Sequence, residues 1–138
     1  SLTLIGSTSG ATTATLSTNL AQYWTAGDYI YLEFYMVLSN IAGLSGDIII
    51  DNLPEDAKQA GAAFPQGSCL ITANANMSSG GNFFPIHGKV GETAVDQVSL
   101  QTHIATGQIA KPDWGDVETG EGAITLGGTI QYLRNLAS

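Results

Sequence analysis

The feature that most constrains this chain is a ten-residue stretch, 29–38, in which two kinds of side chain alternate without a break. Side chains along a β-strand point to opposite faces with period two, so every second residue of this stretch shares a face. One face is wholly apolar, which predicts a strand that packs against a hydrophobic core. Its members are Ile30, Leu32, Phe34, Met36 and Leu38.

The opposite face of the same stretch holds three tyrosines, Tyr29, Tyr31 and Tyr35, with Glu33 as its one charge. A strand face that meets solvent is normally more polar than this. Two interpretations therefore stay open. The strand is buried on both faces of a sandwich or barrel, or the tyrosines form a subunit interface, where this residue type is enriched.

The rest of the chain predicts more short strands. Seventeen glycines and many Thr, Ser and Asn residues interrupt β-branched and aromatic runs at short intervals, a pattern typical of strands joined by turns. Gly127-Gly128 lies inside the last run and indicates a bulge or a close approach of two backbones. Strands are expected near 3–6, 29–38, 47–52, 67–76, 83–90, 95–104 and 123–133, with a looser strand or arm near 11–17.

One short helical segment is expected near 54–63. Pro54 suits the first position of a helix, and Glu55 and Asp56 suit the positive end of the helix dipole. The overall prediction is a single all-β domain spanning 1–138, an antiparallel β-sandwich of jelly-roll type. Residues 1–17, rich in Thr, Ser and Gly, form a possible N-terminal docking arm.

Charge and cysteine content narrow the function classes. Twelve acidic residues against four basic ones give a net charge of −8, which argues against nucleic acid and anionic membranes as partners. No apolar run approaches the roughly 20 residues of a membrane helix. The single cysteine, Cys69, cannot form an internal disulfide. It is expected to be a buried structural thiol, because no positive neighbour would stabilise a thiolate.

Candidate catalytic groups are few. His87 and His103 are the only histidines, and no Gly-x-Ser-x-Gly nucleophile elbow accompanies them. A phosphate-binding glycine loop, a dinucleotide fingerprint and metal-spaced Cys/His sets are missing as well. The sequence therefore predicts a protein that is not an enzyme and that uses neither a cofactor nor a metal.

One loop concentrates acidic residues around a tryptophan and is a candidate partner or ligand loop: Asp113, Trp114, Asp116 and Glu118. Its spacing does not match the calcium loop of an EF-hand. A solvated acidic loop is favoured over another kind of calcium site. Trp114 has two possible roles, since it can stack on a sugar ring or anchor the loop to the domain.

Three segments, in order along the chain, resemble a family of bacteriophage virion surface domains. Residues 23–32 (YWTAGDYIYL) resemble the pattern Gly-x-Tyr-Thr-x-x-Gly followed by an alternating strand. Residues 45–54 (SGDIIIDNLP) resemble the Ser-Gly, strand, Leu-Pro step that comes next, and residues 126–132 (LGGTIQY) resemble the closing Gly-Thr-x-x-Tyr strand. Ala21 stands where the pattern prefers Gly, and Glu55 stands where it has Phe.

This resemblance implies a β-sandwich that often assembles as a trimer in tail fibres, head fibres and capsid decoration proteins. The leading hypothesis is a structural protein of the virion, a trimeric capsid decoration (cement) protein that is assembled in the host cytoplasm and contacts the major capsid protein. The alternative is a receptor-binding domain of a tail or head fibre that recognises a host-surface glycan. A carbohydrate-active enzyme is the third hypothesis, and the family supplies no catalytic residues for it.

Overall fold

The computed structural model describes residues 1–58, 67–77, 87–103, 108–120 and 122–135. This part of the chain is built from β-strands, with one short 3₁₀ turn at Trp114–Asp116. The strands are β1 (Thr3–Gly6), β2 (Thr15–Ala26), β3 (Tyr29–Asn40), β4 (Ile48–Asp51), β5 (Gly67–Ala75), β6 (His87–Val90), β7 (Val98–His103), β8 (Ile109–Ala110) and β9 (Ile124–Leu133).

All strand pairs are antiparallel and form one sheet in the order β1-β4-β7-β6-β5-β9-β3-β2, with β8 added beside β7. The prediction of an all-β antiparallel domain is therefore confirmed at this level. The sheet curls into a half-barrel. The jelly-roll sandwich stays a prediction.

One expected strand can be compared with the structure only in part, and another begins later than expected. The strand expected near 83–90 is present over 87–90, and positions 83–86 lie outside the described residues. The strand expected near 95–104 begins only at Val98, because residues 95–97 belong to a turn in which the amide of Gln97 donates to the carbonyl of Ala94. Position 104 lies outside the described residues.

The core lies on the concave side of the sheet, and the register explains why. One row of directly paired positions crosses seven strands and is apolar apart from a glycine and a tyrosine. Its non-glycine members are all buried. Because this row runs without a break from β1 to β3, the described strands share one hydrophobic core. The row runs Leu4, Ile50, Val98, Val90, Gly67, Tyr132 and Ile30.

The curl brings the two ends of the sheet together. The side-chain amide of Asn19 on β2 donates to the carbonyl oxygen of Leu2, just before β1, at 3.0 Å. Leu2 and Leu4 are buried in the core, and residues 3–6 form β1, so the beginning of the arm is held against the domain. The exposed part of the possible docking arm is therefore concentrated in 7–13, and its docking role stays a prediction.

The glycine pair of β9 behaves as its sequence position predicts. The register of β5 against β9 shifts between Ile71 and Ala73, opposite Gly128 and Gly127, so a bulge is present. The backbones also approach closely, because a Cβ built on Gly128 would overlap the carbonyl oxygen of Leu70. Both parts of the prediction are confirmed.

The helix expected near 54–63 is wrong for the residues that the structure describes there, 54–58, and the remaining positions lie outside the described residues. The amide of Ala57 donates to the carbonyl of Val95, and that of Lys58 to Leu133. Glu55 pairs with Arg134 at 3.1 Å instead of stabilising a helix end. So short a segment nucleates a helix poorly, and its backbone groups find better partners in neighbouring chain.

No helix in the described part of the chain is long and apolar enough to cross a lipid bilayer.

Candidate contact surface

The two faces of β3 differ as the sequence predicts. Its apolar face is buried, whereas Tyr29, Tyr31 and Tyr35 are 49%, 40% and 41% exposed. Burial of β3 on both faces is therefore wrong for the single chain. The interpretation of the tyrosines as a subunit interface stays a prediction, and these side chains are accessible for one.

Strand β2 extends this tyrosine surface. Trp24 lies directly opposite Tyr31, and Leu20 lies opposite Tyr35. The rings of Trp24 and Tyr31 are nearly parallel, with centroids 6.4 Å apart and planes inclined by 7°, an arrangement that aromatic pairs favour. We call the resulting surface the aromatic face and define it as Leu20, Trp24, Tyr29, Tyr31 and Tyr35.

Leu20 and Trp24 are the members of the face that the sequence does not predict. The available signal is the two-residue turn Gly27-Asp28 directly before the alternating strand, since such a turn joins antiparallel neighbours. Gly27 has φ = +60°, as the first position of such a turn requires. That turn assigns the residues before it to a partner strand. The looser strand or arm expected near 11–17 is therefore wrong in its bounds, because β2 runs from Thr15 to Ala26 and alternates only weakly.

The aromatic face is large and almost uncharged. With about 200 Å² per ring, its four aromatic side chains leave on the order of 350 Å² accessible. This is the size of the largest apolar patch on a typical monomer, and such patches are often functional. Glu33 is the charge on this face of β3, and the side-chain amide of Gln22 donates to it at 3.5 Å. Leu70, 58% exposed, continues the surface two strands further, beyond Thr129.

The acidic loop is held to the domain through its tryptophan. Trp114 is 3% exposed, and its indole N–H donates to the carbonyl of Ile5 at 2.8 Å. Its backbone amide donates to the carbonyl of Gly46 at 2.9 Å. Trp114 is therefore the anchor of the loop, and a role in stacking on a ligand is wrong because the ring is covered.

The carboxylates of this loop do not converge on one point. Asp113 accepts from the amide of Gly115 at 2.7 Å and so caps the 3₁₀ turn. Asp116 and Glu118 are half-buried, and the amide of Glu118 donates to the carbonyl of Asn76. Among the described residues, no three His, Cys, Asp or Glu side chains lie close enough to hold a metal ion. In the described part of the chain, the acidic loop is therefore an ordered connection between strands.

Cys69 is buried, as predicted, in β5. Burial raises the pKa of its thiol from 9.0 to about 12. A thiol with that pKa stays protonated at neutral pH, and the thiolate is the reactive form. Cys69 is therefore a packing residue.

Alkaline pH is expected to weaken the fold through two buried acids. Burial raises the pKa of Cys69 to about 12 and, for the same leading reason, that of Tyr132 to about 12. Tyr132 donates its hydroxyl proton to the carbonyl of Glu55 at 2.8 Å. Because both folded-state values lie above the ordinary values of 9.0 and 10.0, their contribution is complete below pH 9 and is lost as the pH rises toward 12.

Urea unfolding at a series of pH values from about 8 to about 11 checks this. Each group costs up to about 1.4 kcal/mol per pH unit above its ordinary pKa. Tyr132→Phe removes one titration and is expected to flatten the loss above about pH 10. An unfolding free energy that is equal at the two ends of the series would contradict the expectation.

Fold and surface together define a class, an antiparallel all-β protein whose most distinctive feature is an exposed, nearly uncharged aromatic face. Comparison of the chain with models of known protein families, with curated proteins and with solved structures finds no match in any of the three.

Proposed function

We propose that this protein is a non-enzymatic structural protein of a bacteriophage particle, a trimeric capsid decoration protein whose copies meet through the aromatic face. The observation that carries the proposal is that face, with three tyrosines and a tryptophan at 40–49% exposure on one side of two paired strands. Aromatic side chains with polar tips are the residues that subunit interfaces favour.

The physical argument for self-association begins with tyrosine itself. A tyrosine offers a large rigid contact area with two rotatable bonds, so little conformational entropy is lost when it is immobilised. Copies around a three-fold axis bury the face completely and leave no sticky surface exposed. Such a contact needs no ligand, because the copies contact one another around the axis. It removes from water apolar surface whose exposure is unfavourable.

Charge distribution supports a second contact, with the particle shell. Of the twelve acidic residues, only Asp28 and Glu33 lie between 15 and 40. The other acidic residues lie outside this part of the sequence. They include Asp47 and Asp113, whose backbones form an isolated β-bridge. In the proposal these acidic surfaces meet basic patches of the major capsid protein, and repetition over the shell supplies avidity.

The proposal includes a jelly-roll arrangement of the strands. Its support is that side chains from strands far apart in the strand order share one core, with Leu4 of β1 and Met36 of β3 in the same buried cluster. A core shared by such distant strands is what two facing layers would need.

The test is the mass of the protein in solution and its dependence on two tyrosines. Light scattering at micromolar concentration is expected to give three times the chain mass of 14.3 kDa. Tyr31→Ala and Tyr35→Ala are expected to shift this toward the monomer, because each removes apolar contact area at the interface.

Tyr23→Ala is the matched control, since Tyr23 is also on the β2–β3 hairpin and 47% exposed but lies on the opposite face, paired with Leu32. It is expected to leave the trimer intact. A monomeric wild type would remove the trimer, and unchanged mass in both tyrosine variants would remove the aromatic face as its interface.

A second candidate function is favoured by the Trp24–Tyr31 stack. Sugar rings pack on exposed aromatic rings, and beside the pair lies an open groove of about 420 Å³ that includes Gln22 and Glu33 in its wall. This would suit a receptor-binding domain for a host-surface glycan. Labelled protein that adsorbs to bacterial cells, and that loses adsorption in Trp24→Ala, would promote this function above the decoration role.

A further inference from the structure

We propose that the outer edge of β2, with which no strand in the described part of the chain pairs, joins β2 of a second copy of this chain, antiparallel, about a two-fold axis at Gln22. The inference goes beyond the proposed function, because it concerns the edge of the sheet and a different symmetry. It neither needs nor excludes the three-fold contact through the aromatic face.

Strand β2 is more exposed than a strand that is paired along both edges. It is twelve residues long, ends the strand order, and carries no charged side chain. From Asn19 to Ala26 every residue is exposed, on both faces of the strand. Natural edge strands are usually short, charged, bulged or covered, because a long uncharged edge is a template for another strand. The register shifts of β2 lie between Thr15 and Thr18, so residues 19–26 form a regular edge.

The opposite end of the sheet is not an equivalent edge. Strand β1 has four residues, and its Ile5 forms an isolated bridge with Thr13. The carbonyl of Leu2 is already bonded to Asn19. Head-to-tail pairing of β2 with β1 of another copy would therefore have few free groups to join, which favours β2 meeting β2.

The hairpin tells which backbone groups of β2 point outward. Ala26 and Tyr29 flank a two-residue turn, and such flanking residues exchange both hydrogen bonds. Alternation along an antiparallel pair then directs the backbone groups of every second residue, counted back from Ala26, toward β3. It leaves the N–H and C=O groups of the intervening residues pointing away from the sheet. These are Thr25, Tyr23, Ala21 and Asn19.

The side chains fit this pairing in one register. With Gln22 opposite Gln22 of the second copy, Trp24 lies opposite the second copy's Leu20, and Tyr23 lies opposite its Ala21. Each aromatic ring thus meets an apolar side chain, the ring of Tyr23 meets the smallest of them, and two amides meet at the axis. Cross-strand pairs of these kinds stabilise antiparallel sheets.

The charge distribution of the chain favours a second copy as the partner of the β2 edge. The chain carries a net charge of −8, so two copies repel unless they meet where charge is absent, and β2 has none. A basic partner would instead be drawn to the acidic loops. An uncharged edge on a strongly acidic chain is therefore suited to a second copy of that chain.

The contact area sets the strength of this pairing. Pairing of residues 18–26 with the same residues of the second copy spans about 30 Å. The exposed parts of the rings of Tyr23 and Trp24 contribute on the order of 200 Å². This is about a quarter of the roughly 800 Å² that each partner buries in a standard interface. An edge contact that buries little more than these rings is weak and is best detected by trapping it.

Edge pairing also has a consequence for the aromatic face. Both copies would present this face on the same side of one continuous sheet. Tyr31 and Trp24 would be followed in the same row by the second copy's Leu20 and Tyr35. The face doubles in width and stays accessible, so the two-fold and three-fold contacts are compatible.

A cysteine at the axis tests the inference. Gln22→Cys places two thiols in a non-hydrogen-bonded pair, whose Cα atoms are about 4.5 Å apart, within the range that a disulfide spans. Mild oxidation is expected to convert most of the variant to a covalent dimer on non-reducing electrophoresis. Cys69 is buried and is expected to stay reduced in the background.

Thr25→Cys is the matched control, because it is equally on the exposed edge strand but lies about 20 Å from its counterpart in this register. Cross-linking at Gln22→Cys with little at Thr25→Cys supports the inference if it persists when Tyr31→Ala is added, because Gln22 lies on the same side of β2 as the aromatic face and Tyr31→Ala weakens the proposed three-fold contact. Equal cross-linking at both positions, or none at Gln22→Cys, overturns it.

Ala21→Pro combined with Gln22→Cys is the second test. Proline removes an outward N–H and leaves the bonds to β3, so the covalent dimer is expected to fall several-fold. Unchanged cross-linking would overturn the inference. Covalent dimers from a protein that forms no trimer would sustain the edge contact and remove the proposed trimer, whereas trimers without such dimers would do the reverse.

Discussion

Gly128→Ala is expected to prevent the sheet from forming with its present register. A Cβ at this position would overlap the carbonyl oxygen of Leu70, and the Cα of Ile71 lies 3.1 Å from it. Both obstacles belong to the backbone of β5, so no side-chain rotation relieves them. Because β9 joins β5 to β3 in the strand order, the strain falls within the sheet and not at its edge.

The expected loss is about 3 kcal/mol or more of unfolding free energy, a large part of what a small domain possesses. Urea unfolding measures it. Gly120→Ala is the control, since a Cβ there meets nothing within 4 Å, and it is expected to change stability by less than about 1 kcal/mol. Equal stability of the two variants would contradict the close approach of β5 and β9.

The sequence predicts the strands around β3 and β9 well because two signals there depend on local geometry alone. Alternation in β3 fixes which side chains face the core, whatever the neighbouring strands are. The adjacent glycines of β9 indicate a site where a Cβ has no room. Both signals are confirmed, at Phe34 and Met36 for the buried face and at Gly128 for the close approach.

The segment at 54–58 shows why other elements could not be predicted. Proline followed by acids is a correct signal for the start of a helix, yet tertiary partners decide the outcome. The amide of Ala57 reaches the carbonyl of Val95, and the carboxylate of Glu55 reaches Arg134. Pairing at such sequence distance leaves no local pattern.

The sequence predicts only part of the aromatic face. The tyrosines of β3 stand out because their alternation is regular, but Trp24 and Leu20 join them only through the register of β2 against β3. Register depends on the turn and on the bulges near Leu16, which composition does not reveal. A prediction based on the tyrosines alone therefore gives too small an aromatic face.

Trp114→Ala is expected to be the other severe variant. The indole ring is buried against the core, and its N–H donates to the carbonyl of Ile5 on β1, 109 positions away. Truncation leaves a cavity and an unpaired carbonyl, at a cost of about 3–5 kcal/mol. Trp114→Phe keeps much of the ring and loses the hydrogen bond, so a smaller loss of about 1–2 kcal/mol is expected.

Urea unfolding followed by circular dichroism measures both losses, because that signal does not depend on the ring that is removed. Tryptophan fluorescence adds a check on the burial of Trp114 itself. Trp24 is 48% exposed and Trp114 is 3% exposed, so a Trp24→Phe background leaves fluorescence from the buried ring alone. Its emission is expected at short wavelength and to move to longer wavelength on unfolding in urea. Of the two tryptophan rings, that of Trp114 is the one bonded to β1, through the carbonyl of Ile5. Equal stability of Trp114→Ala and Trp24→Ala would therefore contradict the anchoring role.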